Sequence, residues 1–201
     1  MKLYVISDTH IQKKYSHYDL ATFALQAGVK FFQYREKEFY RPQHYQELIQ
    51  IRNLLKNSNT HLIINDDVDL ALEIGADGVH VGQDDMSLKE IFQKKLPNDF
   101  IVGATVHNQK ELLEVSKYPV RYIGIGPVFG TNSKKITLPP LGIEGLKNLK
   151  NQTRIPVYAI GNIQLNNYKL LKPLDLEGIV LLSAFVLSDN PKDTLKQFMA
   201  D

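Results

Sequence analysis

The segment QYREK, which begins at Gln33, carries cationic and amide side chains at alternate positions. In a β-strand, alternate residues share one face, so Gln33, Arg35 and Lys37 would point together. Arginine binds phosphate oxygens in a bidentate manner, and lysine adds a compact positive charge. The segment therefore predicts an anion-binding site at the end of a strand. Ordinary salt bridges at a solvated strand end would give the same pattern.

Two acidic segments, NDD and GQDD, follow later apolar runs. Asp66 and Asp85 would project from neighbouring strands, beside Asn65. Two carboxylates and an amide that face a bound phosphate group suit Mg²⁺, which prefers few carboxylates together with waters and substrate oxygens. Aspartates at such places also cap helices, and Asp67 and Asp84 are expected to do so. The pair Asp66 and Asp85 is predicted to bind metal.

The longest irregular stretch, residues 127–141, follows an apolar run and contains GTNSKK. Thr131 and Ser133 offer hydroxyl groups, and Lys134 offers a further cation. A loop of this composition could close over a phosphate and exclude water. A solvated surface loop is the alternative interpretation.

Small and polar residues also end the last two apolar runs. Gly161 and Asn162 follow PVYAI, and Leu182 and Ser183 end GIVLLS. In α/β barrels the loops after the last two strands often bind phosphate through backbone N–H groups. Plain tight turns are the alternative.

Two histidines receive different predictions. His107 stands just beyond a run that ends near Thr105, where it could hydrogen-bond a ligand or transfer a proton. His80 lies inside an apolar run and is expected to be a core residue with its hydrogen bonds satisfied.

Eight short apolar runs must position these residues, and helical spacing separates them. If the runs are parallel strands, their polar ends meet at one face of the sheet. The 201 residues are close to the lower limit of about 200 for a closed eight-stranded barrel. The first turn, SDTH, lacks the glycines of an open doubly wound sheet. We therefore predict a single domain over residues 1–201 with the (β/α)₈ TIM-type barrel fold. The runs are 2–7, 29–35, 61–65, 78–82, 100–104, 121–126, 156–160 and 178–183.

The helices between these runs are predicted from spacing and caps. Residues 42–57 and 68–74 show helical spacing, and Ser87 with Glu90 forms a capping box. Further helices are predicted to open at Asn108, Gly142, Pro191 and near Asn166. Gly28, Gly75 and Gly178 are predicted to end helices.

Composition excludes several classes of protein. The 24 basic and 22 acidic residues are well mixed, so no basic stripe predicts nucleic-acid binding. The chain has no cysteine, which excludes thiolate metal sites and cysteine nucleophiles. No apolar stretch approaches the roughly 18 residues of a membrane span, and a cytoplasmic enzyme is the expectation. The oligomeric state is left open, with a homo-oligomer among the alternatives.

These motifs, in this order, resemble the thiamine-phosphate synthase (thiamine-phosphate pyrophosphorylase) family. The likeness runs from LYVISD near residue 3 to SAF near residue 185. Its most specific part is LIINDDVDLALEIGADGVHVGQDD, residues 62–85. Further matches, in the order in which the family has them, are QYREK before this stretch and GIGPVF, the T-x-S-K of the loop and VYAIG after it. The resemblance implies a TIM-type barrel that joins a pyrimidine diphosphate to a thiazole phosphate and releases pyrophosphate.

The resemblance also implies a role for each site residue. Gln33, Arg35, Lys37 and Asn65 would hold the pyrimidine diphosphate, and Thr105 would lie close to the pyrimidine. Asp66 and Asp85 would bind Mg²⁺. The remaining implied contacts are Lys134 with pyrophosphate, and Thr131, Ser133, Gly161, Leu182 and Ser183 with the thiazole phosphate.

Two positions depart from the family pattern, and two other functions compete. Gly130 replaces a proline, and Asn162 replaces the second glycine of a Gly-Gly-Ile turn, where asparagine tolerates positive φ. A thiazole tautomerase of the same barrel would use His107 as acid and base and would need no Mg²⁺. A non-catalytic phosphate-binding paralogue would bind the same compounds without turnover.

Overall fold

The computed structural model of the chain describes residues 1–130 and 139–200. Eight parallel strands form a closed barrel in which each strand pairs with the next in sequence and the eighth pairs with the first. This arrangement confirms the predicted (β/α)₈ TIM-type fold. The strands are β1 (Lys2–Asp8), β2 (Phe31–Arg35), β3 (His61–Asn65), β4 (Gly78–Val81), β5 (Ile101–Val106), β6 (Tyr122–Ile125), β7 (Val157–Ala159) and β8 (Gly178–Leu181).

Helices connect the strands and cover the outside of the barrel. The helices of the described residues are α1 (His17–Ala27), α2 (Arg41–Leu55), α3 (Val68–Ile74), α4 (Leu88–Gln93), α5 (Gln109–Val115), α6 (Gly142–Lys150), α7 (Ser183–Val186) and α8 (Pro191–Met199). A 3₁₀ helix, Tyr168–Leu174, connects β7 to β8. None of the helices in this part of the chain combines the length and the apolar character that a bilayer span requires.

Three predicted side-chain caps are confirmed. Ser87 caps α4 in a capping box with Glu90, and Asn108 caps α5. Asp67 caps α3 by accepting from the Leu70 N–H group. The expectation that Asp84 is also a cap was wrong, because the Ser87 capping box already satisfies the start of that helix.

Two predictions between β7 and β8 were wrong. The segment after Asn166 forms a 3₁₀ helix and not an α-helix, since Pro173 lacks an N–H group and cannot continue a regular helix. Gly178 does not end a helix. It opens β8, where a Cβ atom would lie 2.1 Å from the Lys2 carbonyl oxygen, so glycine is required by close approach of two strands. Gly28 and Gly75 end α1 and α3 in the left-handed conformation, as predicted.

The core has two layers. The larger layer lies between the barrel and its helices. The smaller layer fills the barrel itself and consists of Tyr4, Ile6, Phe31, Ile63, Ile101, Tyr122, Tyr158 and Val180. Because side chains alternate along each strand, the inward-facing residues that follow this layer stand above it, at the carboxyl ends of the strands.

Candidate active site

A cavity of about 600 Å³ opens at the carboxyl ends of the strands. Residues on or just beyond all eight strands line it. Twelve residues predicted from the sequence are among them, so the structure brings these positions together. They are Gln33, Arg35, Lys37, Asn65, Asp66, Asp85, Thr105, His107, Gly161, Asn162, Leu182 and Ser183. The other three, Thr131, Ser133 and Lys134, lie outside the described residues.

The cationic part of the cavity comes from β2. Arg35 is only 5% exposed and its guanidinium forms an ion pair with the carboxylate of Asp8, which is 1% exposed. The two residues are register partners on β2 and β1. Burial lowers the pKa of Arg35, while the carboxylates of Asp66 and Glu36 act in the opposite direction. The guanidinium stays charged, since arginine does not lose its proton in proteins. Lys37 is exposed at the cavity wall.

Asp8 supports the cavity wall from β1 without lining the cavity, and the sequence pattern assigned it no role. It ends the first apolar run, on the same face of β1 as Tyr4 and Ile6, and that alternation was visible in the sequence. Its second carboxylate oxygen accepts the His10 backbone N–H at 2.9 Å. Asp8 therefore fixes the position of Arg35 from the neighbouring strand.

The acidic part of the cavity comes from the ends of β3 and β4. Asp66 has a φ of 65°, a left-handed conformation that aspartate adopts more readily than most residues. Its N–H group donates to the His80 carbonyl oxygen at 2.9 Å, and the Asn65 side-chain amide donates to its carboxylate at 2.5 Å. One carboxylate oxygen of Asp85 accepts the Gly82 N–H at 2.6 Å. Asp84, which is not a helix cap, also lines the cavity.

Asp66 and Asp85 are too few to bind a metal ion through protein ligands alone. They suit Mg²⁺, which also takes waters and substrate oxygens as ligands. Within residues 1–130 and 139–200, no cluster of three or more His, Cys, Asp or Glu residues could hold a metal ion. Mg²⁺ does not need such a cluster, because it usually takes one or two carboxylates together with waters and substrate phosphates. Asp66 and Asp85 therefore fit a magnesium ion that arrives with a phosphorylated substrate. The magnesium assignment stays a prediction.

His80 is satisfied, as predicted, but it is also part of the cavity wall. Its Nδ1 lies 3.1 Å from the Tyr122 hydroxyl and its Nε2 lies 2.8 Å from the Thr105 hydroxyl. The Thr105 carbonyl oxygen accepts from the Gln83 side-chain amide. The apolar run around His80 indicated burial, while its partners lie on β5 and β6 and could not be inferred from local sequence.

His107 lies at the edge of the cavity. Its Nδ1 is 2.9 Å from a carboxylate oxygen of Glu111, and its backbone N–H donates to the same oxygen at 2.7 Å. Because a carboxylate only accepts, the ring hydrogen lies on Nδ1 and Nε2 is left as the acceptor. His107 could therefore accept a proton from a ligand.

The turn after β7 requires unusual backbone conformations. Gly161 has a φ of 114°, and a Cβ atom there would lie 2.6 Å from the Pro127 Cα. Asn162 has a φ of 47°, which agrees with the predicted tolerance of asparagine for positive φ. After β8, the Ser183 hydroxyl accepts from the Gln164 side chain at 3.0 Å. The turn at Gly161 and Asn162 brings main-chain atoms to the cavity wall.

Comparison with known proteins places the chain in a family. The profile of thiamine monophosphate synthase matches residues 3–185. Thiamine-phosphate synthase of Chloroflexus aurantiacus is 34% identical over 199 residues, which cover 99% of this chain and 91% of that protein. Thiamine-phosphate synthase 1 of Streptococcus pneumoniae is 38% identical over 201 residues, which cover 98% of this chain and 95% of that protein.

Solved structures agree with this assignment. Thiamine phosphate pyrophosphorylase from Pyrococcus furiosus superimposes with a TM-score of 0.87 at 29% identity, over 99% of this chain and 94% of that one. A 3-hexulose-6-phosphate synthase shares only the fold, with a TM-score of 0.69 at 15% identity over 100% of this chain and 99% of that one. From the profile match and the sequence identities, the chain belongs to the thiamine monophosphate synthase family.

Proposed function

We propose that this chain is a thiamine-phosphate synthase. It condenses 4-amino-2-methyl-5-hydroxymethylpyrimidine diphosphate with 4-methyl-5-(2-phosphoethyl)thiazole and releases pyrophosphate. With the thiazole carboxylate as substrate, CO₂ is released as well. One observation carries the proposal: Arg35, Lys37, Asp66 and Asp85 line a single cavity in a chain that matches the family over residues 3–185. Cations and acids in one cavity suit a diphosphate that binds with a metal ion.

The reaction is a substitution at the methylene carbon of the pyrimidine. The bond between this carbon and the diphosphate oxygen breaks, and its electron pair leaves with the diphosphate. The aminopyrimidine ring delocalises the positive charge left on the methylene carbon. The lone pair of the thiazole nitrogen then forms the new carbon–nitrogen bond. Little proton transfer is needed, so positioning and electrostatics supply most of the acceleration.

The side chains of the cavity would stabilise the leaving group. The Arg35 guanidinium, buried and fixed by Asp8, would bind diphosphate oxygens without having to reorganise. Lys37 would add charge from the rim, and Lys134 of the loop would add more. Asn65 and Gln33 would hold the substrate from the neighbouring strands. Mg²⁺, when bound by Asp66 and Asp85, would neutralise the charge that develops on the departing diphosphate.

A product assay tests the proposal and separates it from both competing functions. The purified protein is incubated with both substrates and Mg²⁺, and thiamine phosphate is measured by chromatography. We expect thiamine phosphate and pyrophosphate in equal amounts. Isomerisation of the thiazole carboxylate phosphate without Mg²⁺, lost in His107→Asn, would instead identify a tautomerase. Substrate binding without any product would identify a non-catalytic paralogue.

A further inference from the structure

Two tyrosines inside the barrel carry hydroxyl groups that packing alone would not require. Tyr4 on β1 and Tyr122 on β6 are each 1% exposed, and both belong to the inner layer of the core. Their hydroxyl oxygens lie 2.9 Å apart. A buried hydroxyl is costly unless it is hydrogen-bonded, so this pair needs partners at both ends.

Both partners line the active-site cavity. The Gln33 side-chain N–H donates to the Tyr4 oxygen, and the Tyr122 oxygen lies 3.1 Å from His80 Nδ1. The other ring nitrogen of His80 lies 2.8 Å from the Thr105 hydroxyl. A continuous relay therefore runs from Gln33 through Tyr4, Tyr122 and His80 to Thr105. Tyr4 and Tyr122 are buried, and they connect Gln33 with His80 and Thr105, which line the cavity.

The barrel is shaped around this relay. A Cβ atom on Gly103 would lie 2.2 Å from the Tyr122 ring, so glycine at that position makes room for the ring. The Tyr122 ring also stacks on Phe31, with ring centroids 5.1 Å apart, and lies nearly parallel to the His80 ring. These contacts hold the Tyr122 hydroxyl between Tyr4 and His80.

We propose that Tyr4, Tyr122 and His80 are positioning residues that fix which hydrogen-bonding atoms Gln33 and Thr105 present to the pyrimidine ring. The proposal rests on the proposed function, because the pyrimidine substrate comes from it.

The direction of the relay follows from Gln33. The Tyr4 oxygen accepts from Gln33, so the hydroxyl hydrogen of Tyr4 needs another acceptor, which the Tyr122 oxygen provides. Tyr122 then donates to Nδ1 of His80. A neutral imidazole that accepts at Nδ1 carries its hydrogen on Nε2, and this hydrogen is donated to Thr105. Burial raises the pKa of both tyrosines, so their hydroxyl groups keep their hydrogens.

This direction determines which hydrogen-bond donors and acceptors face the cavity. Gln33 keeps its side-chain oxygen as an acceptor, and Thr105 keeps its hydroxyl hydrogen as a donor. A 4-aminopyrimidine matches the pattern, because its amino group donates and the adjacent ring nitrogen accepts. A 4-oxopyrimidine reverses both groups. The relay therefore selects the amino ring. An oxo ring would leave the Gln33 side-chain oxygen without a donor and the Thr105 hydroxyl without an acceptor.

The tautomer of His80 tests the relay without any substrate. In ¹⁵N-labelled protein, the nitrogen shifts of the His80 ring report which atom carries the hydrogen. We expect the Nε2–H form in the wild type and loss of this preference in Tyr122→Phe. Tyr158→Phe is the matched control, because Tyr158 packs edge-on against Tyr4 and Tyr122 through its ring alone. An Nδ1–H form in the wild type would overturn the proposal, even if the protein makes thiamine phosphate.

Kinetics provide the second measurement. Tyr4→Phe and Tyr122→Phe should each raise KM for the aminopyrimidine diphosphate about 10-fold, the typical effect of one lost hydrogen bond with an unsatisfied partner. Their preference for the amino over the 4-oxo substrate should fall by a similar factor, with kcat changed less. Values equal to those of Tyr158→Phe would show that the hydroxyls only fill space. Absence of product from the wild type would refute the proposed function and leave the tautomer result standing.

Discussion

Among single residues, Asp8 has the largest structural consequence for the cationic part of the site. Its carboxylate pairs with Arg35 across β1 and β2, and both side chains are almost completely buried. A buried guanidinium without a counter-charge costs several kcal/mol. Asp8 therefore both permits and orients the positive charge that the proposed reaction needs.

Replacing Asp8 should destabilise the fold strongly. We predict that Asp8→Asn lowers the free energy of unfolding by about 3–5 kcal/mol, because it removes the ion-pair partner of the buried Arg35. Urea unfolding monitored by circular dichroism measures this change. Asp69→Asn is the matched control, since Asp69 pairs with Lys94 at 2.8 Å in solvent and should cost less than about 1 kcal/mol. Equal losses in the two variants would contradict the assigned role of Asp8.

The sequence predicts individual residues well when a single strand carries the signal. The alternation of Gln33, Arg35 and Lys37 was enough to place them on one wall. The partners of Arg35 and His80 were not predictable, because Asp8 and Tyr122 lie on other strands and only the register between strands brings them into contact.

Among the secondary-structure elements, β1, β2 and α1 are joined by a buried polar cluster. His17, the first residue of α1, lies 2.7 Å from the Ser7 hydroxyl and 3.3 Å from the Glu36 carboxylate. Thr9 donates to Glu36 at 2.8 Å, and the His10 ring lies 2.5 Å from its other oxygen. Through these hydrogen bonds, Glu36 connects the end of β2, next to Arg35, with the start of α1.

Two shifted pKa values follow from this cluster. Burial lowers the pKa of His17 from 6.5 to about 4, although the Glu36 carboxylate acts in the opposite direction. Burial would raise the pKa of Glu36, but hydrogen bonds from the Glu38 backbone and from Thr9, His10 and His17 outweigh it and bring the pKa from 4.5 to about 2. Each group is thus harder to protonate in the folded protein than in the unfolded chain.

Stability should therefore fall on acidification in two stages. Between pH 6.5 and about 4, the unfolded chain binds a proton at His17 that the folded protein does not, and Glu36 behaves likewise between pH 4.5 and about 2. Each stage contributes at most about 1.4 kcal/mol per pH unit. Urea midpoints across this range measure the slope. His17→Gln should flatten its upper part, while His61→Gln, outside the cluster, should not; an unchanged slope in His17→Gln would refute the assignment.

Elements with strong local signals were predictable, and those governed by packing were not. The capping box of Ser87 and the left-handed glycine Gly75 fixed helix ends in the sequence and in the structure. The short helix at Ser183 has no side-chain cap, so the sequence carried no such signal for it. The 3₁₀ helix Tyr168–Leu174 also lacks a side-chain cap, and its one local signal, Pro173, was not used in the prediction.

For the molecule as a whole, closure of the barrel creates the site. The eight apolar runs predicted the strand number, and each strand was found with small changes at its ends. Closure brings Arg35 of β2, Asp66 after β3 and Asp85 after β4 into one cavity with Gly161 after β7 and Ser183 after β8. The chemical roles of these residues stay predictions, since sequence and fold establish their proximity and not their reaction.

The magnesium diphosphate site is tested most directly by the rate of pyrophosphate release when both substrates are present. This rate is compared between protein with Mg²⁺ and protein after chelation of Mg²⁺. We predict that chelation or Asp66→Ala lowers the rate at least about 100-fold while the circular dichroism spectrum is kept, the size of effect expected when electrostatic stabilisation of a leaving group is lost. Asp67→Ala, the neighbouring control, should lose about 1 kcal/mol of stability as a missing helix cap and keep its rate. Full release after chelation, or a wild-type rate in Asp66→Ala, would contradict the proposed site.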